Sequence, residues 1–174
     1  MTPSRPAPGV ITEPLRKGHD RTAFASGAPE LDTYLKQYAR QDARRNVTAP
    51  FVLGDNDSAT VVGYYTLAAT NLGVHALSAE QAHGLPHYPY LPAILIGRLA
   101  VDKSRHGSGL GKFLLVDALR RCVDQLERIG ATFVVVEARD QAAASFYEHF
   151  GFDHLSDAEG RLFMPMATVK RVVR

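Results

Sequence analysis

The chain of 174 residues contains a single cysteine, Cys122, so it can form no intrachain disulfide, and a reducing compartment is the simple expectation. No stretch approaches eighteen consecutive apolar residues, which argues against a membrane-spanning helix. The first residues, MTPSRPAPG, lack the apolar core of a signal peptide. Together these absences predict a cytoplasmic protein with no membrane partner. Charge of one sign is also scarce in excess: 20 Lys and Arg face 18 Asp and Glu, for a formal net charge of +2. Composition therefore neither demands nor excludes a nucleic-acid partner, and the distribution of charge has to decide. Metal-ligand spacing is weak as well. His83 and His87 are four apart but span Gly84 and Pro86, so they share no helical face, and no metal is expected.

The length fits one domain with room for a real core, and 45% hydrophobic with 22% charged residues is ordinary for a globular chain. Three prolines mark residues 1–9 as a flexible leader, with a single domain expected over 10–174. A short edge strand is expected within Gly9–Leu15, and a helix from Pro29 to about Arg45. In that helix Leu31, Tyr34, Leu35, Tyr38 and Ala39 form an apolar stripe at helical spacing. Lys36, Arg40 and Arg44, four apart, with Arg45 beside them, form a basic ridge. Like charges at that spacing cost a few tenths of a kcal/mol each. The ridge fits an anionic partner, or equally a solvated face partly neutralised by Asp42. A hairpin follows, with strands over Asn46–Leu53 and Thr60–Ala69 joined through Gly54–Ser58. Further on, the pattern predicts a helix from Leu110 to Ile129 ended by Gly130, a strand over Ala131–Ala138, and a closing strand over Leu162–Val173. The expected class is α/β, with a mixed, mostly antiparallel sheet flanked by helices.

The most informative stretch is PAILIGRLAVDKSRHGSGLGKFLL, residues 92–115. A β-branched apolar run ends at Val101, three alternating glycines follow (Gly107, Gly109, Gly111), and an amphipathic helix begins at once. Glycines between a strand end and a helix start let the backbone approach a ligand with its N–H groups, and the helix N-terminus adds partial positive charge. Lys112 and Arg105 are placed to add formal charge. Three phosphate or nucleophile loops fail on spacing. A P-loop would need glycine at His106 and a hydroxyl at Phe113, a dinucleotide fingerprint has its third glycine one residue too early, and a nucleophile elbow at Ser108 again needs glycine at His106.

The loop His106-Gly107-Ser108-Gly109-Leu110-Gly111 resembles the acetyl-CoA motif of the GNAT N-acetyltransferases, Q/R-x-x-G-x-G/A, with His106 at the first position and Arg105 beside it. About thirty-five residues on, Asp140 is a candidate N-cap, and Ala143-x-x-Phe146-Tyr147-x-x-x-Gly151-Phe152 matches the second half of that family's acetyl-CoA site. The basic helix, the GRLAVDKSRHGSGLGKFLLVDALRR phrase and the LFMPMATV ending further resemble the GNAT toxins of bacterial type II toxin–antitoxin modules.

The resemblance implies a GNAT fold with acetyl-CoA as cosubstrate. Backbone groups of Leu99, Ala100 and Val101 would hold the pantetheine arm. The loop from Arg105 through His106, Gly107, Ser108, Gly109, Leu110 and Gly111 to Lys112 would hold the pyrophosphate, with Phe146 also at the cofactor. Tyr147 would be the general acid, since a phenol with a pKa of about 10 is protonated at pH 7. Packing or hydrogen bonding at the cofactor is its other possible role. No carboxylate stands out as general base, with Glu137 readable as a strand end and Asp140 as a cap. An α-amine, with a pKa near 7.7–8.0, needs a base less than a lysine does. The toxins acetylate the α-amine of aminoacyl-tRNA and so block translation. They are held inactive by a ribbon-helix-helix antitoxin, reach operator DNA only through that complex, and several are homodimers. On this resemblance Lys36, Arg40, Arg44 and Arg45 become contacts for tRNA phosphates. The alternatives are a conventional GNAT acting on a small amine or protein N-terminus, and a non-catalytic binding module.

Overall fold

The computed structural model describes residues 11–56 and 58–174. The expected leader over residues 1–9 lies outside them, as does Asp57 in the hairpin turn. Seven strands form one sheet: β1 (Thr12–Pro14), β2 (Ala49–Gly54), β3 (Val61–Gly73), β4 (Tyr90–Val101), β5 (Phe133–Glu137), β6 (Asp153–His154) and β7 (Arg161–Pro165), in the order β1-β2-β3-β4-β5-β7-β6. β4 and β5 run parallel, while β1–β2, β2–β3, β5–β7 and β6–β7 are antiparallel. The chain divides into two compact units. One runs to Ala68 and resumes over Gly97–Ala118; the other comprises Ala69–Ile96 and Leu119–Arg174.

In the first unit a helical stretch packs on β2 and β3 through a core of Phe24, Tyr34, Leu35, Ala39, Val52, Val61, Tyr64 and Ala100. The stretch is not one regular helix. It comprises α1 (Pro29–Thr33), a π-helical turn (Tyr34–Tyr38) and α2 (Ala39–Arg44). The Ala39 N–H bonds the Tyr34 carbonyl five residues back, which widens the turn and shifts the phase of the faces. Tyr38, expected in the core stripe, is therefore 51% exposed, while Tyr34, Leu35 and Ala39 are buried. Arg21 clamps the widened turn, its Nη1 donating to the carbonyls of Leu35 (2.8 Å) and Lys36 (3.4 Å). Helix α3 (Leu110–Asp124) begins in this unit, where Asp117 accepts hydrogen bonds from the Thr12 (2.5 Å) and Tyr65 (2.6 Å) hydroxyls. Those bonds tie the middle of α3 to β1 and β3.

The second unit is built on the β4–β5–β7 ladder, with Leu72, Leu91, Phe133, Val135, Leu155 and Phe163 in its core. Two elements depart from expectation. Helix α3 stops at Asp124 rather than at Gly130; short turns follow, so Ile129 loses the helical phase and stands 67% exposed. The expected last strand over Leu162–Val173 ends at Pro165, and α5 (Met166–Val172) replaces its second half. Proline has no N–H for the ladder, and MATVKRV buries Met166 and Val169 on one side while Lys170 and Arg171 stay outside.

Candidate active site

The first unit supplies a cradle made largely of backbone. The parallel register of β4 with β5 spans Ala93–Ile96, so Leu99, Ala100 and Val101 lie beyond it at the end of the strand. Asp102 then turns the chain: its Oδ2 accepts from the Ala25 N–H (2.9 Å), and its Oδ1 accepts from the Ser104 N–H (3.0 Å) and hydroxyl (2.7 Å). Burial alone would raise its pKa, yet these hydrogen bonds and nearby His106 outweigh it and hold the carboxyl below its ordinary range. Gly107 (φ +79°) and Gly109 (φ +83°) occupy left-handed backbone that a side chain would strain. At this end the Phe113 N–H bonds the Gly109 carbonyl (3.0 Å), and the first N–H groups of a helix point out of its N-terminus. That geometry fits an anionic pyrophosphate.

The loop's side chains are less free than their sequence pattern implies. Arg105 is ion-paired with Asp55. The Ser108 hydroxyl donates back to the Arg105 carbonyl. The exposed His106 ring lies 2.9 Å from the Val101 carbonyl through Nε2, which must be the donor to an acceptor-only oxygen. His106 therefore fastens the loop to the end of β4. Leu110, Gly111 and Lys112 form the first turn of α3, half-buried.

The expected tyrosine lies in the second unit. Asp140 caps α4 (Gln141–His149), its Oδ1 accepting from the Ala143 N–H at 2.8 Å, and Gly151 (φ +100°) follows the helix end, both as expected. Tyr147 is buried between Phe146 and Phe152, with ring centroids 5.3 and 5.5 Å away in edge-on contacts, and Phe146 also meets Phe150 at 5.2 Å. Its hydroxyl makes no hydrogen bond among the described residues. Burial drives its pKa well above the ordinary phenol value, so it stays a protonated donor at neutral pH. Ser145 is exposed and faces elsewhere, accepting from Gln141 at 3.4 Å. Glu137 is an exposed strand end, and Asp140 is a cap that also pairs with Arg139 at 3.3 Å. Neither is set up as a base. The Cys122 thiol is buried, and burial pushes its pKa up to about 12, as suits a small core side chain rather than a nucleophile. Among the described residues no group of three or more metal-ligating side chains gathers.

On the helical stretch Lys36, Arg44 and Arg45 are exposed and Arg40 is half-buried. None of the four is in an ion pair among the described residues. Asp42, the expected neutraliser, instead accepts from the Tyr34 hydroxyl at 2.8 Å. Beside it lies a cleft of about 580 Å³ lined by Glu30, Leu31, Tyr34, Tyr38, Asp42 and Arg98. The Arg98 guanidinium stacks 3.4 Å over the Tyr34 ring. Sequence reasoning missed Arg98, although a charge inside the otherwise apolar run before Leu99 was a readable signal.

The sequence model described as an acetyltransferase (GNAT) domain matches residues 50–154. This chain is a GNAT acetyltransferase. Among its curated relatives, the tRNA-acetylating toxin of Mycobacterium tuberculosis (strain ATCC 25618 / H37Rv) is 37% identical over 77% of this chain and 78% of its own. The structure is similar to that of AtaT complexed with acetyl-methionyl-tRNAfMet, with a TM-score of 0.87, 26% identity and coverage of 95% of this acetyltransferase and 99% of AtaT. AtaTR bound with AcCoA is similar at a TM-score of 0.83, 26% identity and coverage of 95% and 98%. An AtaT mutant bound to the C-terminus of the antitoxin AtaR follows at 0.79, 25% identity, and 94% and 97%. No helix of the described residues is long and apolar enough to cross a membrane.

Proposed function

We propose that this GNAT acetyltransferase is a toxin that moves the acetyl group of acetyl-CoA to the α-amine of aminoacyl-tRNA and so blocks translation. The observation that carries the reading is the basic ridge of Lys36, Arg40, Arg44 and Arg45, whose charges have no ion-pair partner among the described residues, Asp42 accepting instead from the Tyr34 hydroxyl. A chain of nearly balanced charge that keeps such a ridge has built a local footprint for a polyanion. The curated relative's activity on tRNA and AtaT's complex with an acetylated aminoacyl-tRNA point the same way.

In this reading the loop from Arg105 to Lys112 receives the pyrophosphate through backbone N–H groups, while Arg105 and His106 stiffen the loop. Backbone groups of Leu99, Ala100 and Val101 align the pantetheine arm, and Phe146 packs at the cofactor. The neutral α-amine attacks the thioester carbonyl, the carbon–sulfur bond breaks, Tyr147 gives its hydroxyl proton to the departing thiolate, and the proton shed by the acylated nitrogen returns to Tyr147 through solvent. Its hydroxyl stays protonated at neutral pH and has no hydrogen bond among the described residues, so the proton is available for that step. Residues 10–174 act as one domain in this proposal, because β3, β4 and α3 each run unbroken from one unit into the other. The partners proposed are a ribbon-helix-helix antitoxin, through which operator DNA is reached, and a second copy of the chain. The compartment is the cytoplasm, where charged tRNA is found.

The test is transfer of label from radiolabelled acetyl-CoA to total charged tRNA. Label is expected on aminoacyl-tRNA with the wild type and is lost with Tyr147→Phe. Label on small amines but never on charged tRNA would replace this reading with a conventional acetyltransferase.

A further inference from the structure

Arg21 lies outside the basic ridge in sequence, yet the fold brings it there. Its Nη1 is held by the carbonyls of Leu35 and Lys36, so the guanidinium is fixed in place rather than mobile. Its Nε and Nη2 make no hydrogen bond among the described residues. Arg21 and Lys36 line one cavity of about 330 Å³ with His19, Asp20 and Thr22. The acid in that cavity is already engaged, Asp20 Oδ1 accepting from the Thr22 N–H (3.0 Å) and hydroxyl (2.7 Å). Burial first, and the nearby Arg40 charge second, lower the pKa of Arg21, while the Asp20 carboxylate, bonded to Thr22, forms no ion pair with these cations among the described residues.

We propose that Arg21, Lys36 and Arg40 form a seat for one backbone phosphate of the tRNA, with Arg21 as its fixed fork and as the clamp on the π turn that presents Lys36. The proposal rests on the aminoacyl-tRNA reading above. A guanidinium held by main-chain carbonyls has already lost its rotamer freedom, and its planar fork matches a phosphate better than an ammonium does. A bound phosphate also offsets the repulsion between Arg21 and Arg40. The same chemistry would accept a phosphate of the cofactor, so the test must separate the two sources.

Equilibrium binding of charged tRNA is measured across salt concentrations, alongside acetyl-CoA binding and thermal melting, for the wild type, Arg21→Gln, Arg21→Lys, Lys36→Gln and Arg21→Gln/Lys36→Gln. Arg21→Gln and Lys36→Gln each weaken tRNA about tenfold and reduce the slope of log K against log salt by about one, with acetyl-CoA affinity unchanged. The double variant falls short of the product of the two losses, because both cations serve one phosphate. Arg21→Lys recovers the slope without the full affinity, which a purely structural role does not predict. If Arg21→Gln melts early, Lys36→Gln and Arg40→Gln carry the same test. A wild-type slope in folded Arg21→Gln overturns the inference alone, as does a loss confined to acetyl-CoA. A wild type that neither binds nor acetylates charged tRNA overturns the function and the inference together.

Discussion

The loop from Asp102 to Lys112 and the helix from Gln141 to His149 serve one reaction in this proposal by opposite means. The loop is largely exposed and offers backbone, while three of its side chains support the loop itself: Asp102 bonds Ala25 and Ser104, Arg105 pairs with Asp55, and His106 bonds Val101. The helix offers one side chain, Tyr147, 6% exposed and packed among aromatic rings. A site made of backbone tolerates changes in its side chains but not in its dihedral angles. A site made of one hydroxyl on a buried ring does not tolerate its loss.

The largest effect expected is at Tyr147. Tyr147→Phe keeps the edge-on ring contacts and removes only the hydroxyl, so turnover falls about 10²–10⁴-fold while the melting temperature and acetyl-CoA affinity hold. Full turnover by a folded Tyr147→Phe protein would remove the acid from the helix and reduce the contrast to packing. Next comes the loop. A Cβ at Gly107 meets nothing within 4 Å, so Gly107→Val tests the left-handed backbone rather than space. A strain of about 1–2 kcal/mol in that region predicts roughly tenfold weaker acetyl-CoA binding with kcat at saturation little changed. Calorimetry or fluorescence titration reads it, and unchanged affinity would show that the cradle does not depend on those angles.

The pH profile sharpens the same contrast. Tyr147 acts while protonated, and burial raises its pKa, so its alkaline loss is displaced above the ordinary phenol value of about 10. The rate should rise as an α-amine deprotonates near pH 8 and then stay level to pH 9.5; a fall that depends on Tyr147 within that window would contradict the burial argument. The smallest effect expected is at His106→Gln, which restores the residue usual in the family. Its amide keeps a donor for Val101, so acetyl-CoA affinity should move less than about threefold in titration. A larger change would give the His106 ring a direct part in holding the cofactor.

Much of the site was legible because it is local. The strand end, the alternating glycines, the Asp140 cap, Phe146-Tyr147 and the Gly151 stop are all set by dihedral preferences and spacing within a few residues. The π turn was not legible, since Leu31, Tyr34, Leu35, Tyr38 and Ala39 satisfy a regular helix and only Arg21, thirteen residues before Tyr34, holds the widened turn. The false end of α3 at Gly130 has the same cause: a helical spacing continued through Leu126 and Ile129 after the core contacts had run out. Pro165 was readable as a break, but whether a strand or a helix followed it depended on where Met166 and Val169 found burial.

What the sequence by itself determined is the glycine loop, the aromatic helix and the family they mark, because each is a short-range pattern of backbone conformation and capping. What only the tertiary structure decided is which charges are spent and which remain. Arg105 goes to Asp55 and Asp42 to Tyr34, whereas Arg21, Lys36 and Arg40 keep their charges unpaired among the described residues. Such partners lie up to fifty residues apart, and only packing brings a charge within a few ångströms of another, where Coulomb and desolvation energies act.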